Sequence, residues 1–344
     1  MRIGLDVMGG DYAPDAILAG GLDAVSLLKD GDRMVLVGDQ QLIEAALAER
    51  QMTGDPRIEI EPTTEVVDMH ETPISAIREK PNSSIVRLAR LGGKRHGGDR
   101  FCDIIISAGN TGACVASAQM SMRRLPGVTR PGVAVTVPTF FGPVVMCDVG
   151  SNPEAKAAHL HQYGHMATIY AQRILGIEEP RVALMSIGEE EGKGHSLARN
   201  AAILMRKDTT LNYVGYVEGR SLFEGRADVV VTEGFTGNVV IKLVEGLSAG
   251  IFRAIGKELI QASPELAPSF DKVVKQIYAK HDYHEYGGAP LLGANGICMI
   301  CHGSSEARTI VNAVRTALIY ARSGVNEGII EALDKLTLVA EGAK

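Results

Sequence analysis

The chain is 344 residues long, 45% hydrophobic, 22% charged and 5% aromatic, with 39 Gly and no Trp. That globular composition excludes a disordered segment, a collagen and a disulfide scaffold, and the length leaves ample room for a core. Lys and Arg number 35 against 41 Asp and Glu, a net charge of −6, which argues against non-specific binding of nucleic acid, a process that runs on basic patches.

The opening Met1-Arg2-Ile3-Gly4-Leu5-Asp6-Val7 turns acidic too soon for the apolar core of a signal peptide and reads as a first strand. Short β-branched runs then alternate with longer helical patterns. The pattern predicts strands over 2–7, 34–37, 58–60, 103–107, 132–137, 144–149, 181–186, 213–217, 229–232 and 296–300. Helices are predicted over 14–28, 40–49, 83–91, 111–122, 153–175, 196–206, 236–260, 304–322 and 326–336. Ile104-Ile105-Ile106 and Val229-Val230-Val231 are apolar at consecutive positions, as strands covered on both faces are. The alternation predicts a three-layer α/β/α fold with a mostly parallel sheet, a single unit over 1–344 with no repeat or linker. Residues 92–100 read as a solvated loop. Asn152-Pro153-Glu154 reads as the N-cap, first position and first-turn acid of the 153–175 helix. No uncharged apolar run reaches the roughly 18 residues that span a bilayer; the longest candidate, 239–260, is broken by Lys242, Glu245, Arg253, Lys257 and Glu258. The five Cys, an odd number, read as reduced thiols of a cytoplasmic protein.

The predicted strand ends are rich in Gly, Asn and Ser. The turns are Met8-Gly9-Gly10-Asp11, Ala108-Gly109-Asn110-Thr111-Gly112-Ala113, Gly150-Ser151-Asn152, Ile187 through Gly194, and Glu233-Gly234-Phe235-Thr236-Gly237-Asn238. Ligands of open α/β sheets bind at such ends, where backbone amides at helix N-termini favour anions. Together the five point to a phosphate or other anion, provided the fold brings them together.

Three other motifs lead elsewhere. Cys298-Met299-Ile300-Cys301-His302 spells the haem-attachment pattern, but residues three apart on a strand face opposite sides, so the thiols diverge. Gly188 to Gly194 is one residue short of a nucleotide P-loop, has no hydroxyl after Lys193, and carries three glutamates that repel a triphosphate. His161 and His165 share a helix face near His159, but no Cys or acid stands at ligand spacing, so no metal site is expected. A G-x-S-x-G elbow and a dinucleotide fingerprint are both missing.

Six strings are more particular: Asp6-Val7-Met8-Gly9-Gly10-Asp11, Ser107 to Ala113, Arg123-Arg124-Leu125-Pro126-Gly127-Val128-Thr129-Arg130-Pro131, Gly188 to Gly194, Glu233 to Asn238, and Tyr286-Gly287-Gly288-Ala289-Pro290-Leu291-Leu292-Gly293. In these the chain resembles the phosphate acyltransferase family of bacterial phospholipid synthesis, from residue 1 to about residue 325. Departures are small: Val7 where alanine is usual, Glu233 where aspartate is expected, and Cys301 before His302. The resemblance implies transfer of a long-chain acyl group from acyl carrier protein to inorganic phosphate. The acyl phosphate then feeds a membrane glycerol 3-phosphate acyltransferase. It further implies a fold shared with isocitrate and isopropylmalate dehydrogenases and with phosphotransacetylases, a homodimer, no metal or nucleotide cofactor, and peripheral membrane association.

Phosphate is already anionic at pH 7, so the chemistry needs no serine or cysteine nucleophile. It needs an anion held beside the thioester and charge stabilisation at the carbonyl oxygen. Lys193 and Asn238 are the expected catalytic pair. The bland alternatives are a solvated loop lysine and an N-cap asparagine. Gly9, Gly10, Asp11, Gly109, Asn110, Thr111, Gly112, Asn152, His195 and Gly237 are expected around phosphate and thioester, while His302 reads equally as a site residue or a core histidine. Acyl carrier protein is acidic, so it needs a basic dock: Arg123, Arg124 and Arg130, or Lys272, Lys275 and Lys280. A helical hairpin over about 236–282, turning at Pro264 and Pro268, is expected to dimerise through its first half and meet a bilayer at its tip, around Leu259, Ile260 and Leu266. The rivals are a phosphotransacetylase using coenzyme A, a nicotinamide-dependent dehydrogenase, and a non-catalytic scaffold for the carrier.

Overall fold

Ile104-Ile105-Ile106 forms most of strand β4 (Ile104–Ser107), buried at every residue, and its alternate side chains enter two different layers. Ile104 and Ile106 pack with Ile3, Leu36, Ile17 and Ile310, whereas Ile105 packs with Val35, Leu88 and Ala118. A strand covered on both faces has to be apolar throughout, which is why the run is continuous. The computed structural model describes residues 1–262, 266, 269–270, 272–274 and 287–342.

The remaining strands are β1 (Arg2–Asp6), β2 (Arg33–Gly38), β3 (Ile58–Pro62), β5 (Gly132–Thr139), β6 (Gly142–Cys147), β7 (Val182–Met185), β8 (Tyr213–Val217), β9 (Val229–Val231), β10 (Ala289–Leu292) and β11 (Ile297–Ile300). They make one 11-stranded sheet in the order β3-β2-β1-β4-β11-β10-β5-β6-β9-β7-β8. Pairing is parallel except where β10 meets β11 and β5, and where β5 meets β6. The strands β1 to β4 and β11 therefore run opposite to β6, β9, β7 and β8. The α-helices are α1 (Asp15–Ala24), α2 (Gln40–Glu49), α3 (Pro73–Glu79), α4 (Ser84–Leu91), α5 (Lys94–Gly97), α6 (Thr111–Ser121), α7 (Ala157–Leu175), α8 (Ser196–Lys207), α9 (Gly234–Ala262), α10 (Ala307–Arg322) and α11 (Val325–Gly342), with short 3-10 helices at Val25–Leu27, Gly98–Arg100 and Gly219–Phe223. Tyr163 and Met166 of α7, with Met205 of α8, close the core of the second half over Val145, Leu184 and Val229.

All ten predicted strands are present. Strand β10 is not among them, because its four residues include Pro290 and lie between glycines, a string that reads as a turn. The supposed loop 92–100 contains the short helix α5. The expected start of α7 is corrected: its N-cap is Lys156, not Asn152. Asn152 is drawn away by tertiary bonds, its backbone N–H donating to Asp148 Oδ2 at 2.7 Å and its amide to Pro131 O at 2.6 Å and Tyr163 Oη at 2.8 Å. Helix α9 runs through the first part of the region where a hairpin is expected; Pro264, Pro268 and residues 275–282 lie outside the described residues. Cys298 and Cys301 diverge as expected. Cys298 Sγ sits 3.9 Å from Cys114 Sγ in one layer, and Cys301 packs in the other. Burial pushes the Cys301 thiol up to about 12, so it stays protonated and inert.

Candidate active site

Two buried carboxylates organise the strand ends. Asp6, at the end of β1, accepts from Ser107 Oγ at 2.8 Å and from the Met8 N–H at 3.1 Å. Burial raises its pKa against the pull of those bonds. The bonds clamp the β1 turn to the β4 turn so closely that a Cβ on Gly9 would stand 2.7 Å from the Gly109 nitrogen. Asp148, after β6, accepts from the Val133 N–H at 2.9 Å, Ser151 Oγ at 2.8 Å and the Asn152 N–H at 2.7 Å. Burial raises its pKa as well, again opposed by its donors.

Asn110 caps α6. Its Oδ1 accepts from the Ala113 N–H at 3.1 Å, and its Nδ2 donates to the carbonyls of Asp68, Met69 and Glu71 at 3.3, 3.3 and 3.0 Å. One side chain thus fixes the start of the helix and the 68–71 segment above it. The first helical residues, Thr111 and Gly112, keep the unpaired first-turn amides of any helix start, and both line a cavity of about 520 Å³.

Helix α9 forms the opposing wall. Glu233, just before it, accepts from the Thr236 N–H at 2.9 Å and from Thr236 Oγ1. Glu233 is therefore the capping side chain, and Asn238 is not. Asn238 sits a full turn inside α9, where it lines the cavity with Lys242 and Glu245. Gly237 is required for this approach, because a Cβ there would lie 2.0 Å from the Asp148 carbonyl oxygen. His302 enters from the end of β11, with Nε2 3.8 Å from Glu245 Oε2 and Nδ1 2.7 Å from Ser304 Oγ. His302 is a cavity residue.

Of the five glycine-rich turns, four send a residue into this cavity: Asp11, then Asn110 with Thr111 and Gly112, then Gly150, then Asn238. Gly9, Gly10, Gly109, Asn152 and Gly237 are not among the cavity's lining residues. The fifth turn, after β7, contributes none of its residues to the lining. Lys193 is exposed, and His195 is the N-cap of α8, its Nδ1 accepting from the Ala198 N–H at 3.3 Å. β6, β9 and β7 are parallel neighbours, so their C-terminal turns share one edge at about 5 Å per strand. Lys242 and Glu245 were missed by sequence reasoning. The available signal was their spacing of one and two turns from Asn238 along one helix face.

The family described as "Fatty acid synthesis protein" matches residues 1–328. A phosphate acyltransferase of Nitratidesulfovibrio vulgaris is 42% identical over 335 residues, covering 96% of this chain and 94% of that one. One of Desulfitobacterium hafniense is 43% identical over 345 residues, covering 99% and 100%. Two solved structures share the fold. The EutD phosphotransacetylase from Staphylococcus aureus has a TM-score of 0.58 at 14% identity over 93% of this chain and 94% of that one. A phosphotransacetylase from Streptococcus pyogenes has a TM-score of 0.59 at 16% identity over 94% of each.

Proposed function

The chain belongs to the phosphate acyltransferase family, and on that premise we propose that it moves a long-chain acyl group from the thioester of acyl carrier protein to inorganic phosphate. A phosphate oxygen attacks the thioester carbonyl, the C–S bond breaks, and the products are acyl phosphate and the carrier thiol. The acyl phosphate serves a membrane glycerol 3-phosphate acyltransferase.

The observation that carries this reading is the shared cavity of the α6 N-terminus and Asn238. Helix-start amides at Thr111 and Gly112 suit phosphate. The Asn238 amide suits the oxyanion that develops on the carbonyl, an interaction typically worth roughly 3 kcal/mol. Lys242 adds positive charge on the same helix face. Lys193, on a glycine-flanked turn at the neighbouring strand edge, supplies a second, flexible cation to phosphate once substrate is bound. A thiolate leaves with little need of a proton, so no triad is required.

The acidic carrier docks at Arg123, Arg124 and Arg130, which line a separate cavity of about 680 Å³ with Met120, Leu125 and Val128. The alternative dock has only Lys272 among the described residues. Along α9, Phe235, Val239, Leu243, Leu247, Ile251 and Ile255 recur every fourth residue and are all exposed. A second copy of this chain covers that stripe, and the exposed Ile260 and Leu266 beyond it meet a bilayer from the cytoplasmic side. Among the described residues, no helix is long and apolar enough to cross a membrane.

The test is thiol release from palmitoyl-acyl carrier protein with and without phosphate, in the absence of nucleotide. Phosphate-dependent release with an acyl phosphate product is expected. Release from coenzyme A thioesters alone would make the protein a phosphotransacetylase, and carrier binding without release would make it a scaffold.

A further inference from the structure

His161 and His165 lie one turn apart on α7, and the sequence offers no acid near them. The fold supplies one from the end of α8. Nε2 of His161 is 2.7 Å and Nε2 of His165 is 2.6 Å from the same atom, Asp208 Oδ2. The three donor atoms lie within 4.8 Å of one another. The side chains are 11%, 6% and 5% exposed. The other carboxylate oxygen, Oδ1, accepts from the Thr210 N–H at 2.9 Å and Thr210 Oγ1 at 2.6 Å, so Oδ2 is held toward the rings. Among the described residues neither imidazole makes a second hydrogen bond. None of the three lines the central cavity, and the proposed transfer uses none of them.

We propose that His161, His165 and Asp208 bind a divalent transition metal of the zinc type, with water as a fourth ligand. Two histidines at i,i+4 on a helix can present both Nε2 atoms to one point. Two nitrogens and one carboxylate suit Zn²⁺ rather than Mg²⁺ or Ca²⁺, which take oxygen ligands. Metal–ligand bonds of about 2.0–2.1 Å set tetrahedral ligands roughly 3.3 Å apart, so the two N···O edges open by roughly 0.6 Å, a small side-chain rotation. Without metal each ring donates Nε2–H to the carboxylate. On binding, each proton moves to Nδ1 by exchange with water, and nothing is oxidised. Thr210 orients the carboxylate from behind, as partners of metal ligands do. The ion would tie α7 to the end of α8, the helix whose other end follows the Lys193 turn.

The test strips the full-length protein with chelator, then titrates it with Zn²⁺ and, separately, Co²⁺. Expected are one ion per chain, a rise in Tm, and Co²⁺ visible bands of a four-coordinate site. His165→Gln and Asp208→Asn should each weaken binding at least about 100-fold, and Thr210→Val about tenfold. Asp208→Asn keeps the side-chain shape and a Thr210 contact, so its circular dichroism should match wild type. No uptake by the wild-type chain, or equal uptake by wild type and both ligand variants, overturns the site.

Discussion

The turn after β4 and the turn after β7 have the same composition, glycines and polar residues between a buried strand and a helix, but their environments differ. The first is locked from below by Asp6 and Ser107 and from above by the three carbonyls that Asn110 holds. The second is held mainly by its own surface charges. Glu189 takes Arg226 at 2.5 Å and Ser221 at 3.2 Å, and Glu191 takes Arg206 at 3.2 Å. Such exposed pairs contribute little. One turn is a preformed wall, and the other is a cation on a tether. For the transfer proposed above, a site that binds phosphate and then admits an acyl carrier gains from having one of each.

Four experiments press on that contrast. The largest effect is expected from Lys193→Ala, which should lower kcat roughly 100- to 1000-fold with the Tm unmoved. Normal turnover would leave Lys242 as the cation that matters. Asn110→Ala should cost about 2–3 kcal/mol of stability in denaturant unfolding, the sum of a lost cap and orphaned carbonyls. Glycines separate the turns next. Gly112→Ala places a Cβ 2.5 Å from Pro73 Cγ, an overpacking expected to cost about 2 kcal/mol. Gly192→Ala meets nothing within 4 Å and suffers only from its φ of +87°, about 1 kcal/mol. Equal costs at the two would erase the difference between wall and tether. The smallest effect belongs to Arg226→Ala, whose Tm should match wild type; a clear drop would mean that the β7 turn is anchored after all.

The pairing of Glu189 with Arg226 also shows what the three glutamates near Lys193 do in the fold. In sequence they look like a charge cluster facing any bound anion. In the fold two of them are engaged by arginines of other segments. Asn152 is the residue whose local signal misled. Its placement before a proline and an acid satisfies every local rule for a helix start, and a buried aspartate and a tyrosine from elsewhere outbid that preference. Glu233 went unread as a cap in the sequence, where Asn238 was the cap candidate, yet it is the side chain that caps α9.

What the sequence determined by itself is whatever is encoded within a few residues. The buried strands are legible because a strand covered on both faces must be apolar at each position, as Ile104 to Ile106 are. The family is legible because turns packed backbone against backbone admit only glycine at points such as Gly9 and Gly237, which makes the strings around them unusual. What only the tertiary structure decided depends on partners far apart in the chain. Asn110 reaches residues 68–71, Glu245 approaches His302, and Asp208 closes on two histidines of another helix. Strand β10 belongs with these, since a four-residue segment containing proline is a strand only because β5 and β11 stand on either side of it. Local periodicity records the layer a residue enters, but which residues meet across a cavity is set by sheet order, and that is a property of the whole chain.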